Sequence, residues 1–168
     1  MTTFVRWLLV AVVVAGGWLV AVPDAAAAPG APAAQVLDGV QLRYLPAGLG
    51  SSTDFAYEYD EVAFAARVWE SGSDVTGWRV DLHVGVMRSD RLANGRSLHD
   101  WFIAYQERPP VEARYVPVRV HGRPGWLCRD ELFWLVRPGL ALSVQLDSTH
   151  WSQRELLRVA RAARTLTE

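Results

Sequence analysis

Any chemistry in this 168-residue chain has to come from four histidines, His83, His99, His121 and His150, from one cysteine, Cys128, and from scattered acidic side chains. No histidine stands in an H-E-x-x-H arrangement or another short spacing that presets a metal-binding face, so neither a metal ligand nor a cofactor is assigned. His99 beside Asp100 suggests an oriented base. Consecutive helical residues point about 100° apart, however, and Asp100 reads better as the partner of Ser97 in a capping box. Cys128 has no flanking signature of a thiol enzyme and is read as a buried small hydrophobe. As the single cysteine it allows no intrachain disulfide. No Ser lies in a G-x-S-x-G elbow and no Gly-rich phosphate loop occurs, so no catalytic residue is assigned and the chain is read as non-enzymatic.

The densest group of acids, Glu58, Asp60 and Glu61, lacks the glycine turn of a calcium loop and is read as solvated. The alternative chemistry is a cell-envelope hydrolase using paired carboxylates such as Glu58 and Glu70, which requires both to face one concave site. The 17 basic and 18 acidic residues leave a net charge of −1, with no field to attract nucleic acid. All the basic residues are arginines, but they are dispersed. Arg154, Arg158 and Arg161, which share a stripe near the C-terminus, are read as a solvated helix face.

The first residues have the three-part layout of a signal peptide: Met1 to Arg6 with one positive charge, an apolar run from Trp7 to Val22, and small residues before Ala28. Cleavage is expected after Ala27, because a cut after Ala28 would place Pro29 directly after the bond. The expected product is extracytoplasmic. The apolar run is shorter than the roughly 20 residues of a spanning helix and is broken by Gly16-Gly17. Its retention would instead make the chain a membrane-tethered extracytoplasmic sensor. Residues 28–35 are read as a flexible leader and 36–168 as a single domain, expected to be monomeric.

The domain begins with alternation over Val40 to Leu45, then the turn Pro46-Ala47-Gly48. Phe55, Tyr57 and Tyr59 repeat at period two, and a second strand is expected over Ala63 to Glu70. Trp78, Val80, Leu82, Val84 and Val86 alternate with Arg79, Asp81, His83 and Gly85, which predicts a strand with one buried and one wet face. The turn at Gly72 to Asp74 makes these two strands a hairpin. Ser97 to Asp100 predicts a helix start, Leu98, Trp101, Phe102 and Tyr105 its apolar face, and Pro109-Pro110 its stop. Val116 to His121, Trp126 to Cys128, Leu132 to Arg137 and Leu140 to Asp147 read as an antiparallel meander. Ser152 to Glu155 predicts a second cap, with Trp151 and Leu156 as its hydrophobic staple. Leu156, Val159, Ala160, Ala163 and Leu166 form the stripe of a closing helix. The expected fold is α+β: a mostly antiparallel sheet of five to seven strands, with an inserted amphipathic helix and a C-terminal helix packed on it.

Six tryptophans fall in this domain. Trp78, Trp101 and Trp134 sit on expected core faces, whereas Trp69 and Trp126, beside turns, are candidates for an exposed or cleft-lining role. The candidate binding residues are therefore Trp69, Trp101, Phe102, Tyr105 and Trp126. The last four would line a cleft between the sheet and the Ser97 helix, holding a small apolar ligand or an envelope protein.

The run Gln41 to Leu49, the hairpin Val118 to Gly125, Trp134 with Pro138-Gly139, and Ser152 to Ala160 together resemble a family of exported α+β domains. Those domains carry a "tyrosine, leucine, proline, x, glycine" opening, a "glycine, x, x, glycine" hairpin and an "E-L-L-x-x-A" final helix. The element order is similar to the Mog1/PsbP-like fold. The resemblance covers most of Val40 to Leu166, except the aromatic segment Phe55 to Trp69, which departs from it. It implies a fold and transfers no catalytic residue, because its motifs are turn, core and cap positions.

Overall fold

The computed structural model describes residues 35–107 and 114–166. The expected signal peptide, most of the leader and Pro109-Pro110 lie outside them. The frame is a seven-stranded antiparallel sheet, joined by β3 (Ser51–Tyr59), β4 (Val62–Ser73), β5 (Gly77–Arg88), β6 (Val116–Val120), β7 (Arg123–Cys128), β8 (Glu131–Arg137) and β9 (Leu140–Leu146). Their spatial order is β3-β4-β5-β9-β8-β7-β6. The expected hairpin and the expected meander are both present, and they meet where β5 pairs with β9, from Leu82 opposite Leu146 to Arg88 opposite Leu140. The α+β class, the inserted helix and the C-terminal helix are as the sequence predicts.

A second, three-stranded sheet was not foreseen. In it β2 (Val40–Leu42) lies between β1 (Gln35–Leu37) and β10 (Ala163–Thr165). With helix α2 (Gln153–Ala162), it packs on one face of the large sheet over Leu82, Val84, Val86, Trp134 and Leu142. Helix α1 (Gly95–Gln106) packs on the other face over Phe64, Met87, Phe133 and Ala141. The closing helix is thus shorter than its apolar stripe suggested. Ala163 leaves it with extended backbone to pair with Leu42, and Leu166 is 58% exposed.

The alternation in β5 changes phase. Trp69 opposes Leu82 and Glu70 opposes Val80, so Asp81 is an extra residue, a bulge. A one-residue shift exchanges the faces of every side chain beyond it. Leu82, Val84 and Val86 are wholly buried as expected, but Trp78 and Val80 are turned to the α1 face and are 59% and 47% exposed. Asp81, expected on the wet face, is fully buried. Its carboxylate accepts hydrogen bonds from the Ser71 hydroxyl, from the Gly50 amide at 2.9 Å and from Arg79 Nε at 2.9 Å. Residue 50 has to be glycine for this approach: a Cβ there would stand 1.9 Å from the Glu70 carbonyl oxygen. Arg79 also reaches Asp147, whose amide donates to the Asp81 carbonyl at 2.9 Å, which ties the β9–α2 turn to β5.

The helix caps follow from short polar side chains. Helix α1 starts one turn earlier than Ser97 suggested: Asn94 is its N-cap, and Asn94 Oδ1 accepts from the Ser97 amide while Ser97 Oγ accepts from the Asn94 amide, each at 3.0 Å. Asp100 is therefore no cap partner. In α2 the N-cap is Ser152, as expected, but the Glu155 side chain leaves the cap to accept from Tyr44 and from Arg158.

Burial alone would raise the Asp81 pKa, but the bonds from Ser71, Gly50 and Arg79 outweigh it and hold the carboxyl below its ordinary 3.8. A depressed acid stabilises the fold above that range and loses its contribution as pH falls below it. Asp81→Ala is expected to lower the unfolding free energy by about 3 kcal/mol at pH 7, because it strands three donors. Urea denaturation of both proteins measures the difference, which should shrink as pH falls below the ordinary carboxylate range and the wild-type carboxyl protonates.

Candidate functional site

The interface between α1 and the sheet is filled. Trp101 stacks on Tyr105 at 5.3 Å, Phe102 on Phe133 at 4.1 Å, and Phe64 on Tyr105 at 5.2 Å between ring centroids. Trp101 is 8% and Phe102 1% exposed, and Trp101 Nε1 donates to Asp60 at 3.0 Å. Trp101, Phe102 and Tyr105 thus meet as expected, but as core packed ring to ring, with the sheet in place of a cleft. Trp69 is not with them: it is 3% exposed in the core on the opposite face, because it follows β4's alternation inward. Trp126 is half-buried, stacked on Phe133 at 5.4 Å and near His99 at 5.1 Å. It borders an open groove of about 350 Å³ together with Pro117, Val118, Arg119, Pro124 and Gly125.

The two carboxylates named for hydrolysis do not converge. Glu58 opposes Ala63 and Glu70 opposes Ser51 in the β3–β4 ladder, so they differ by an odd step in β3 register and point to opposite faces. Among the described residues, no three His, Cys, Asp or Glu side chains stand together as metal ligands. His150 Nδ1 lies 2.8 Å from Asp147 Oδ2, an arrangement that orients an imidazole, but Arg79 occupies its Nε2 at 2.9 Å. That pair braces a turn. His99 does meet Asp100, at 3.0 Å between Nδ1 and Oδ1, contrary to the expectation from helical spacing.

One exposed aromatic surface lies on the α1 face of β3, β4 and β5. Phe55 (48%), Tyr59 (47%), Trp78 (59%) and Val80 (47%) are the large exposed apolar side chains there, and the rim of Tyr57 joins them. Tyr57 stacks on Phe64 at 4.6 Å and shares a hydrogen bond with Tyr105 at 3.0 Å, so this surface is continuous with the packed rings beneath α1. The four half-exposed aromatics together expose on the order of 400 Å², with Phe55, Tyr57 and Tyr59 toward one end of the face, Trp78 at the other, and Ser51, Thr53 and Glu70 between them. Comparison of the chain with protein-family models, curated proteins and solved structures finds no match. The alternation of Phe55, Tyr57 and Tyr59 was visible in the sequence. The exposure of Trp78 and Val80 was not, because it depends on the bulge.

Two titratable groups lie on the α1 side of the sheet, Glu131 buried and His83 half-buried. Glu131 is 2% exposed and accepts from Gln106 Nε2 at 2.7 Å and from the Tyr115 hydroxyl at 2.5 Å. His83, between Val68 on β4 and Gln145 on β9, has its pKa lowered to about 4 by burial. Its ordinary value is 6.5, so the unfolded chain takes up this proton first as pH falls, and stability is lost progressively from about pH 6.5 down to about 4. The loss should reach roughly 2–3 kcal/mol. Thermal melts at pH 7 and pH 4.5 should show a smaller pH shift for His83→Gln than for the wild type; equal shifts would mean that His83 does not carry the effect.

Proposed function

We propose that this chain is an exported, non-enzymatic accessory domain that binds another polypeptide through the apolar face formed by Phe55, Tyr57, Tyr59, Trp78 and Val80. The observation that carries this reading is the contrast between two aromatic sets: the rings under α1 are packed against one another, while those on β3 and β5 face solvent. An exposed aromatic sheet face suits a protein surface better than a small ligand, which needs an enclosing pocket. Tryptophan and tyrosine supply contact area at little cost in side-chain entropy, as residues that dominate interfaces do. The partner surface would itself be apolar with a polar rim.

The groove beside Trp126 supports a second, smaller reading, in which an apolar ligand lies against Trp126, Pro117 and Pro124. The hydrolase alternative loses its stated carboxylate pair to the geometry of β3 and β4. Export rests on the N-terminal pattern alone, and a chain whose helix is retained would display the same face from a tether.

Trp78→Ala and Val80→Ser are expected to change stability by less than about 1 kcal/mol, since both side chains are largely solvated. If the face is the binding surface, Trp78→Ala should reduce recovery of co-purifying protein at least tenfold in crosslinking and mass spectrometry of the exporting host. A Trp126→Ala variant that alone abolishes binding would favour the groove. Intact mass of the product should begin at Ala28, whereas a full-length mass recovered with membranes would establish the tether.

A further inference from the structure

We infer that the outer edge of β3 pairs with the β3 edge of a second copy, antiparallel about a two-fold axis at Phe55. This goes beyond the face-binding reading and does not require it. The sheet has two edges of different character. At one, β6 is five residues long and carries Pro117, which donates no main-chain hydrogen bond, a common way of blunting an edge. At the other, β3 is nine residues long, runs in unbroken register with β4, contains no proline, and is exposed along its whole length. Such a strand presents unpaired amides and carbonyls over about 30 Å. Pairing it with a copy of itself would form about eight to ten main-chain bonds, the number typical of a stable interface.

Overlap and charge together select the register, since only an axis at Phe55 opposes all nine residues of β3. A two-fold axis perpendicular to the sheet keeps side chains on their own face, so opposed residues share parity. With the axis at Phe55, Ser51 opposes Tyr59, Ser52 opposes Glu58, Thr53 opposes Tyr57 and Asp54 opposes Ala56, and no two acids meet. Moving the axis to Asp54 sets that residue against itself, moving it to Ala56 sets Asp54 against Glu58, and moving it to Tyr57 sets Asp54 against Asp60. Like charges directly opposed are unfavourable. The paired copies would also join their aromatic rows, Tyr59, Tyr57 and Phe55, into one continuous band.

Two measurements on the purified protein test this. Phe55→Cys should form a disulfide-linked dimer under mild oxidation, because opposed residues in such a ladder lie about 4.5–5.5 Å apart between Cα atoms. Tyr57→Cys should not, since its own copy is four residues away along the strand; the native Cys128 is buried and does not compete. In sedimentation equilibrium, Ala56→Asp, which opposes Asp54 twice, should weaken the dimer roughly tenfold, whereas Ala56→Lys should preserve or tighten it. Trp78→Ala should leave the dimer constant unchanged, so this inference and the face-binding reading fail separately. A wild type that sediments as a monomer, or crosslinking at 57 as readily as at 55, overturns the proposal.

Discussion

One extra residue in β5, its carboxylate turned into the protein, sets where each face of the large sheet begins and ends. On one side of Asp81 the odd and even positions of β5 serve the α2 face and the α1 face; on the other side they exchange. The reversal is tolerable because Ser71, Gly50 and Arg79 satisfy the buried acid. Without them a fully buried charge would cost several kcal/mol. The same group gathers the entry to β3, the β4–β5 hairpin and the turn before α2, so the geometry of three distant segments hangs on one carboxylate.

The aromatic residues divide along that boundary. Where the sheet is covered by α1, the rings stack closely and make a core that owes little to hydrogen bonding. Past the bulge, Trp78 and Val80 leave the layer that α2 and the small sheet would have covered, and join Phe55 and the tyrosines in solvent. Exposed aromatic area of this kind is a cost in a free chain unless something covers it.

Much of this architecture was legible in the sequence. Period-two alternation found the β4–β5 hairpin and the whole of the β6–β9 meander, because half-buried antiparallel strands write their faces into their residues. Ser152 marked its helix correctly. Ser97 did not, since the Asn94 three residues earlier is an equally good cap and the chemistry of the two is reciprocal. The strands β1 and β10 are three residues each and too short for a period to show, while β2, read as Val40 to Leu45, ends at Leu42. The inward Asp81 and the outward Trp78 were illegible for another reason. A bulge leaves no local signature, and alternation read back through it from Leu82 assigns Trp78 and Val80 to the wrong face. Trp69 misled in the opposite direction, its neighbouring turn suggesting exposure where the strand carries it into the core.

The junction of β5 with β9 also bears on how the chain acquires its structure. Each half of the large sheet is a succession of hairpins between neighbours in sequence, and such contacts close quickly because little loop entropy is lost. The seven residue pairs from Leu82–Leu146 to Arg88–Leu140 are different, since they join segments separated by α1 and by three intervening strands. Within the large sheet this seam is the one pairing that carries a long loop-closure cost. Until it closes, the inner edges of β5 and β9 stand open.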